Sequence, residues 1–312
     1  MQHASFLRRA APALLSLWVA LPGALAAQGT ITAVSWNVES GGAQRAVVAE
    51  RIRAYQEVDL WGLSEVESDQ DAAAFERAAE EGEGADFRRI TGTTGGTDRL
   101  SIVYDADRFT LVRHFELSDI NPGMVRAPLV AHLRERATGR EFLFMVNHLY
   151  RGNAQARHRQ AEQLNAWGRS QTLPVIAVGD YNFDWEVNGG DAAHDRGYDN
   201  LTREGVFTWV RPATLVKTNC SPQYNSVLDF VFVNQAARGW RGESWIDVVP
   251  GDCPDGPQKS DHRPVRAVFR PGGASPEPGE TPPTKAQILQ RIERLEEELR
   301  ALKEQVRRLP GG

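Results

Sequence analysis

The sequence predicts an α/β fold with too many strands for one simple sheet. Three observations carry this reading. From Thr30 onward, short β-branched runs alternate with amphipathic stretches, the pattern of sheets covered by helices. About ten strand-like runs fall within about 240 residues, more than one ordinary sheet accommodates. The chain has 312 residues, 41% hydrophobic and 25% charged, enough to bury one large core or two modest ones.

In chain order, ITAVSWNV at 31–38 reads as the first strand. A helix follows from about Ala43 to Val58, with Val47, Ile52 and Tyr55 among its apolar positions, and then the strand DLWGLSEV at 59–66. A second helix around 70–80 leads through Gly-rich turns to LSIVYD at 100–105 and a strand near 109–115. PLVAHL (128–133) and EFLFMVNHL (141–149) read as an antiparallel pair joined by the turn Ala137-Thr138-Gly139. Residues 153–167 are helical in pattern, and PVIAVGDYN (174–182) is a buried strand with a polar tip. SVLDFVFV (226–233), SWIDVV (244–249) and PVRAVF (264–269) complete the strands.

The ends differ from this body. His3, Arg8 and Arg9 precede an apolar run from Ala10 to Leu21, then Pro22, Gly23 and the small residues Ala24 to Ala27, the layout of a signal peptide (1–27) cleaved near Ala26 or Ala27. The run is short of the roughly 20 residues that cross a bilayer. No second stretch of spanning length follows. The expectation is a secreted or periplasmic protein without stable membrane insertion. After the body (28–270), PGGASPEPGETPPT marks a Pro/Gly-rich linker (271–284). Beyond it, Ile288, Ile292, Leu295, Leu299, Leu302, Val306 and Leu309 recur at alternating spacings of four and three, a coiled-coil helix over 285–309. It predicts a homo-oligomer, dimer or trimer. Arg291 to Glu296 resembles a pattern of three-stranded coils.

Without residues 1–27, 34 basic side chains face 41 acidic ones, a formal charge of −7. That excludes tight, purely electrostatic binding to a polyanion but not a local basic groove. Cys220 and Cys253 are the sole cysteines, and export makes one disulfide between them the leading assignment over two free thiols.

The polar residues of interest cluster at strand ends: Asn37, Glu65, His148, Asp180 and Asn182, with Asp261 and His262 just before the last strand. A polar group at the tip of a rigid strand is held in a cleft with its partners, whereas in mid-strand it is costly. Phosphodiester hydrolysis needs a cation to neutralise the phosphate, a base to activate water and a donor for the leaving oxygen. The oxygen ligands Glu65, Asn37 and Asp261 suit Mg²⁺ or Mn²⁺. Histidine serves best as base when a carboxylate fixes its tautomer, and Asp229, alone in an apolar strand, is suited to orient His262.

WNVE (36–39), LSEVE (63–67), VNHL (146–149), GDYN (179–182), LDFVF (228–232) and SDHRP (260–264) resemble the ordered motif set of the endonuclease/exonuclease/phosphatase superfamily over about residues 30 to 270. The resemblance implies a four-layer α/β/β/α sandwich of two packed mixed β-sheets. It implies Glu65 as principal metal ligand with Asn37 and Asp261 nearby, and His262 with Asp229 as the base. Asp180 and Asn182 would bind phosphate or a second metal. His148 would stabilise or protonate the leaving group, which resembles the deoxyribonuclease and sphingomyelinase branches and departs from the apurinic endonucleases. Weaker matches nominate Asp98, in TDRLSIVY (97–104), to orient His148, and Arg126, in VRAPLV (125–130), to contact phosphate alongside Asn37 and Asn182. Tyr181 stands where the family usually has Phe. Arg151, Arg157, His158 and Arg159 are read as a phosphate-binding rim or a solvated helix start, and Trp185 as a stacking or a buried ring.

Three functional readings follow. The first is a secreted, Mg²⁺-dependent nuclease with a nucleic-acid substrate. The second is a phosphodiesterase or phosphatase acting on lipid head groups or small phosphate esters, for which the sequence shows no exposed hydrophobic hairpin. The third is an oligomeric binding protein whose catalytic site is secondary.

Overall fold

Along β1 (Ile31–Asn37) successive side chains enter two different apolar cores, Ile31 and Ala33 one, Val34 and Trp36 the other, so this strand is covered on both faces. The computed structural model that shows this describes residues 29–123, 125–256, 258–272 and Arg300. The expected signal peptide, nearly all of the linker and the coiled coil with its oligomer contact lie outside the described residues.

After β1 come α1 (Arg45–Arg53), β2 (Leu60–Val66), α2 (Asp69–Glu83), β3 (Phe87–Thr91), β4 (Arg99–Asp105) and β5 (Phe109–Glu116). Next are β6 (Leu129–Glu135), β7 (Glu141–His148), α3 (Ala154–Arg169), β8 (Val175–Glu186) and α4 (Arg196–Thr202). The chain closes with β9 (Phe207–Trp209), β10 (Ser226–Asn234), β11 (Glu243–Ile246) and β12 (Val265–Phe269). The strands form two six-stranded mixed sheets, ordered β11-β12-β1-β2-β4-β3 and β5-β6-β7-β8-β10-β9. Each has one parallel pair near its middle, β1/β2 and β7/β8, among antiparallel neighbours.

The sheets pack face to face through Leu60, Ile102, Phe144, Val146 and Val178. α1 and α2 cover the first sheet over Trp36 and Trp61, with Phe75 of α2 in the same core, and Ala161 and Leu164 of α3 bury against the second. This is the four-layer sandwich. Gly62 of β2 lies at the sheet interface, where an added Cβ would come within 2.4 Å of Val178 Cγ2 and 2.9 Å of Val146 Cγ2. The close approach holds the tips of β1 and β2 beside those of β7 and β8.

Some element boundaries differ from expectation for local reasons. The first helix ends at Arg53, because Glu57 adopts φ 63° and turns the chain into β2. The strand expected to stop at Asn182 continues to Glu186, kinked by positive φ at Asn182 (53°) and Asp184 (44°). The strand expected over 244–249 ends at Ile246, leaving Val248 and Val249 exposed. The sequence pattern does not predict β3, β9 or α4: β3 carries exposed Arg88 and Arg89 at a sheet edge, β9 has three residues and α4 seven. No helix among the described residues is long and apolar enough to cross a membrane.

Candidate active site

The register of the second sheet assembles the row of reactive side chains. His148 and Asp180 are partners across the parallel β7/β8 pair, and Asp180 and Asp229 across the antiparallel β8/β10 pair. Gly179 precedes Asp180 at φ 140°, its α-carbon pressed so close to β7 that a Cβ would stand 1.9 Å from the Asn147 carbonyl oxygen. Only glycine fits there. From the first sheet, an irregularity in β2 between Leu63 and Val66 puts Glu65 at φ 61° and sends its carboxylate to the tip of β1. Asn37 Nδ2 there donates to Glu65 Oε1 (2.7 Å) and to Asp180 Oδ2 (3.2 Å), joining the two sheets, while its Oδ1 accepts Glu39 N–H (3.0 Å).

His262 Nδ1 lies 2.6 Å from Asp229 Oδ2 and so donates to it, which directs Nε2 toward Asp180 Oδ2 and Asp261 Oδ1, each 3.8 Å away. Burial lowers the pKa of this imidazole, but Asp229, Asp180 and Asp261 outweigh it and push it up to about 10. An opposing signal is the Asn219 amide, whose Nδ2 faces Nε2 at 3.0 Å and requires its lone pair. The amide's orientation is fixed by Ser221 N–H on its Oδ1, and a bound cation would offset the carboxylates, leaving Nε2 unprotonated.

His148 is the reverse case: burial and then Arg126 lower it to about 4, so it is neutral at pH 7. Its Nε2 stands 3.6 Å from Asp180 Oδ2 and 3.8 Å from Glu65 Oε1, and its Nδ1 3.4 Å from Asp98 Oδ1. Arg126 is buried, donating Nε–H to the His148 carbonyl (3.0 Å) and Nη1 to Asp98. Burial outweighs that arginine and raises Asp98 to about 6. Arg126 thus braces His148 from beneath.

The donor set fits a divalent cation. Glu65, Asp98 and His148, and separately Asp180, Asp229 and His262, each bring one ligand atom within 4.8 Å of the others. Burial, then Asp261, raises Glu39 to about 7, and burial raises Asp180 and Asp261, with Glu65 pushing both further up. Crowded carboxylate oxygens that resist ionisation await positive charge, and oxygen donors suit a hard ion. Of the expected ligands, Asn37 and Glu65 touch directly. Asp261 is held instead by Asn219 Nδ2 (3.0 Å). Asn37 turns its amide hydrogens toward the carboxylates, an orientation for donating to an anion.

Asn182 donates Nδ2–H to the Leu149 carbonyl (3.0 Å), with its backbone N–H on Asp180 Oδ1 (2.9 Å). Tyr181 is fully buried, its hydroxyl accepting Asn147 Nδ2–H at 2.9 Å. Trp185 is buried and stacked on His194. Arg157 and His158 both face Asp195, so neither belongs to a phosphate rim, whereas Arg151 pairs with Asp184 and lies over the exposed Tyr224 ring. Cys220 and Cys253 form a disulfide. Sequence reasoning missed Glu39, although it stands in WNVE, as well as Ser260, which accepts His262 N–H and donates to the Asn37 carbonyl. It also missed Asn219, whose only flag is the neighbouring Cys220.

Residues 34–262 match the model of the endonuclease/exonuclease/phosphatase family. Among solved structures, a family protein of Bacteroides vulgatus is 18% identical, covering 77% of this chain and 98% of its own, at TM-score 0.58. The mannosyl-6-phosphatase of Bacteroides thetaiotaomicron is 19% identical over 77% and 99%, at 0.53. TDP2 of D. rerio, complexed with single-strand DNA product, is 14% identical over 77% and 98%, at 0.59. At these identities the likeness is one of fold. Comparison with curated proteins finds no match.

Proposed function

We propose, for a chain that belongs to the endonuclease/exonuclease/phosphatase family and is thereby a phosphoric ester hydrolase, that its substrates are the phosphodiesters of DNA or RNA and its cation Mg²⁺. The observation that carries this is a pair of imidazoles on either side of Asp180: His262, hydrogen-bonded at Nδ1 to Asp229, and His148, whose Nδ1 faces Asp98 at 3.4 Å without a hydrogen bond. A diester needs a base on the attacking water and a separate group at the leaving oxygen.

The cation, held by Glu65 with Asp261 beside it, would supply charge neutralisation of the phosphate. His262, oriented by Asp229, takes the proton of the attacking water at Nε2 as the Asn219 amide hydrogen on that lone pair gives way to the water. Asn37 holds Glu65 and Asp180 in place through its two amide hydrogens, and Asp180 and Asn182 position the nucleophile. His148 faces the leaving oxygen. Neutral in the free chain, it would have to take a proton from solvent, favoured by the anionic phosphate beside it, before passing it to the leaving oxygen. The reading is supported by a structure of the same fold, TDP2 of D. rerio, which is complexed with single-strand DNA product. Secretion after cleavage near Ala26 or Ala27 and self-association through residues 285–309 belong to the same proposal.

One observation favours a second reading, hydrolysis of phospholipid head groups or small phosphate esters. Val248 (54% exposed) and Val249 (47%), with Trp245 partly exposed, form an apolar patch on the connection from β11 to Asp261 and His262. The mannosyl-6-phosphatase is a neighbour of this fold acting, by its name, on a phosphate ester of a sugar. The deciding experiment incubates the mature chain with plasmid DNA, RNA, sphingomyelin vesicles and p-nitrophenyl phosphate, in Mg²⁺ or EDTA. We expect Mg²⁺-dependent cleavage of a nucleic acid that EDTA abolishes; turnover of vesicles or monoester alone would replace the nuclease reading with the second.

A further inference from the structure

The segment Thr218–Cys220, upstream of β10, is bound into the reactive row at every residue. Thr218 Oγ1 accepts the backbone N–H groups of Leu228 (2.8 Å) and Asp229 (3.3 Å). Cys220 N–H donates to the Asp261 carbonyl (2.6 Å), and its disulfide to Cys253 ties the segment to the loop leading to Ser260. Between them, Asn219 bridges to His262 as an isolated antiparallel pair and is 7% exposed.

The orientation of the Asn219 amide follows from its surroundings. Its Oδ1 accepts Ser221 N–H at 3.0 Å, so the other end is the NH₂. That nitrogen has two hydrogens and two neighbours: Asp261 Oδ2 at 3.0 Å and His262 Nε2 at 3.0 Å. With Nδ1–H of His262 given to Asp229, the lone pair of Nε2 is what the amide meets.

We propose that Asn219 is a positioning residue of the hydrolytic reaction: its amide nitrogen spans Asp261 and His262, fixing the carboxylate that faces the cation relative to the imidazole that faces the water. The proposal rests on the assignment of Asp261 and His262 to the reaction. Adjacent in sequence, these two side chains have no other described side chain hydrogen-bonded to both. Groups that orient ligands from behind typically contribute 10–100-fold in metal affinity or activity.

The test compares Asn219→Asp with the unaltered full chain. Aspartate keeps the oxygen that accepts Ser221 N–H, so the turn survives, but places an acceptor against Asp261 and Nε2. Rates on bis(p-nitrophenyl) phosphate over a Mg²⁺ series are measured together with Mn²⁺ binding by titration calorimetry and the melting temperature. We expect kcat to fall at least about tenfold with KM within about twofold, Mn²⁺ affinity to fall several-fold, and melting to change little. Asn219→Ser, whose hydroxyl also caps the turn, serves the same comparison should the aspartate variant not fold. Wild-type kcat and Mn²⁺ affinity in whichever variant folds, or a change in KM alone, would overturn the proposal and reduce Asn219 to a turn former. An inactive unaltered chain would instead overturn the diesterase reading itself.

Discussion

Two histidines in one cleft carry opposite electrostatic burdens, and the difference lies in what is buried with them. His262 sits among Asp229, Asp180 and Asp261, and His148 above the Arg126 guanidinium. Asp229 is buried in a strand where an unpartnered carboxylate would be costly. Asp229→Asn is expected to lower kcat by about 10²–10⁴-fold, the range lost when general base catalysis is disabled, with the fold intact by circular dichroism. The carboxylates also set a pH dependence of stability. Burial, then Asp261, holds Glu39 at about 7, and burial holds Asp98 at about 6, so the fold favours their neutral forms. That contribution is complete below the ordinary carboxylate range and is lost as pH rises through 6 to 7. His148, lowered to about 4, works the other way, adding stability as pH rises toward its ordinary value. The metal-free chain should therefore melt lower at pH 8 than at pH 5 by less than the carboxylates alone would give, and saturating Mg²⁺ should flatten the difference; a higher melting temperature at pH 8 in EDTA would contradict it. At this scale His262, Asp229 and Glu65 were legible from their motifs. Asn219 was not, because its partners lie 42 and 43 residues away.

At the scale of elements, the site depends on strand register. A slip by one residue would turn a strand's side chains to the opposite face. β7, β8 and β10 align His148, Asp180 and Asp229, and β1 and β2 bring Asn37 to Glu65. The strand runs were readable because buried β-branched and aromatic residues recur in them. Where the pattern weakens, reading failed: Arg88 and Arg89 in β3 face solvent at an edge, and Trp245 and Val249, apolar in sequence, are exposed. The two sheets approach closely at Gly62. Gly62→Ala should overpack the sheet interface against Val178 and Val146 and lower stability by about 1–3 kcal/mol in urea unfolding; an unchanged midpoint would show that the two sheets can separate freely there.

For the whole molecule, two sheets of equal strand number meet with their parallel pairs β1/β2 and β7/β8 against each other, and the reactive groups gather at one end of that contact. If residues 285–309 associate, they place several such ends together, which favours rebinding to a polymer. A chain ending at residue 272 should keep its kcat/KM on bis(p-nitrophenyl) phosphate and lose several-fold on long DNA at equal site concentration; equal rates on both would remove the role given to the tail. The sequence by itself determined the fold class, the order of the motifs and the reactive residue types, because hydrophobic periodicity and the demands of phosphate ester chemistry are local. Only the tertiary structure decided which carboxylate meets which imidazole, that Arg126 braces His148 from a buried position, and that Asn219 stands between Asp261 and His262. Those relations span strands far apart in sequence, and they exist only once the two sheets have closed on each other.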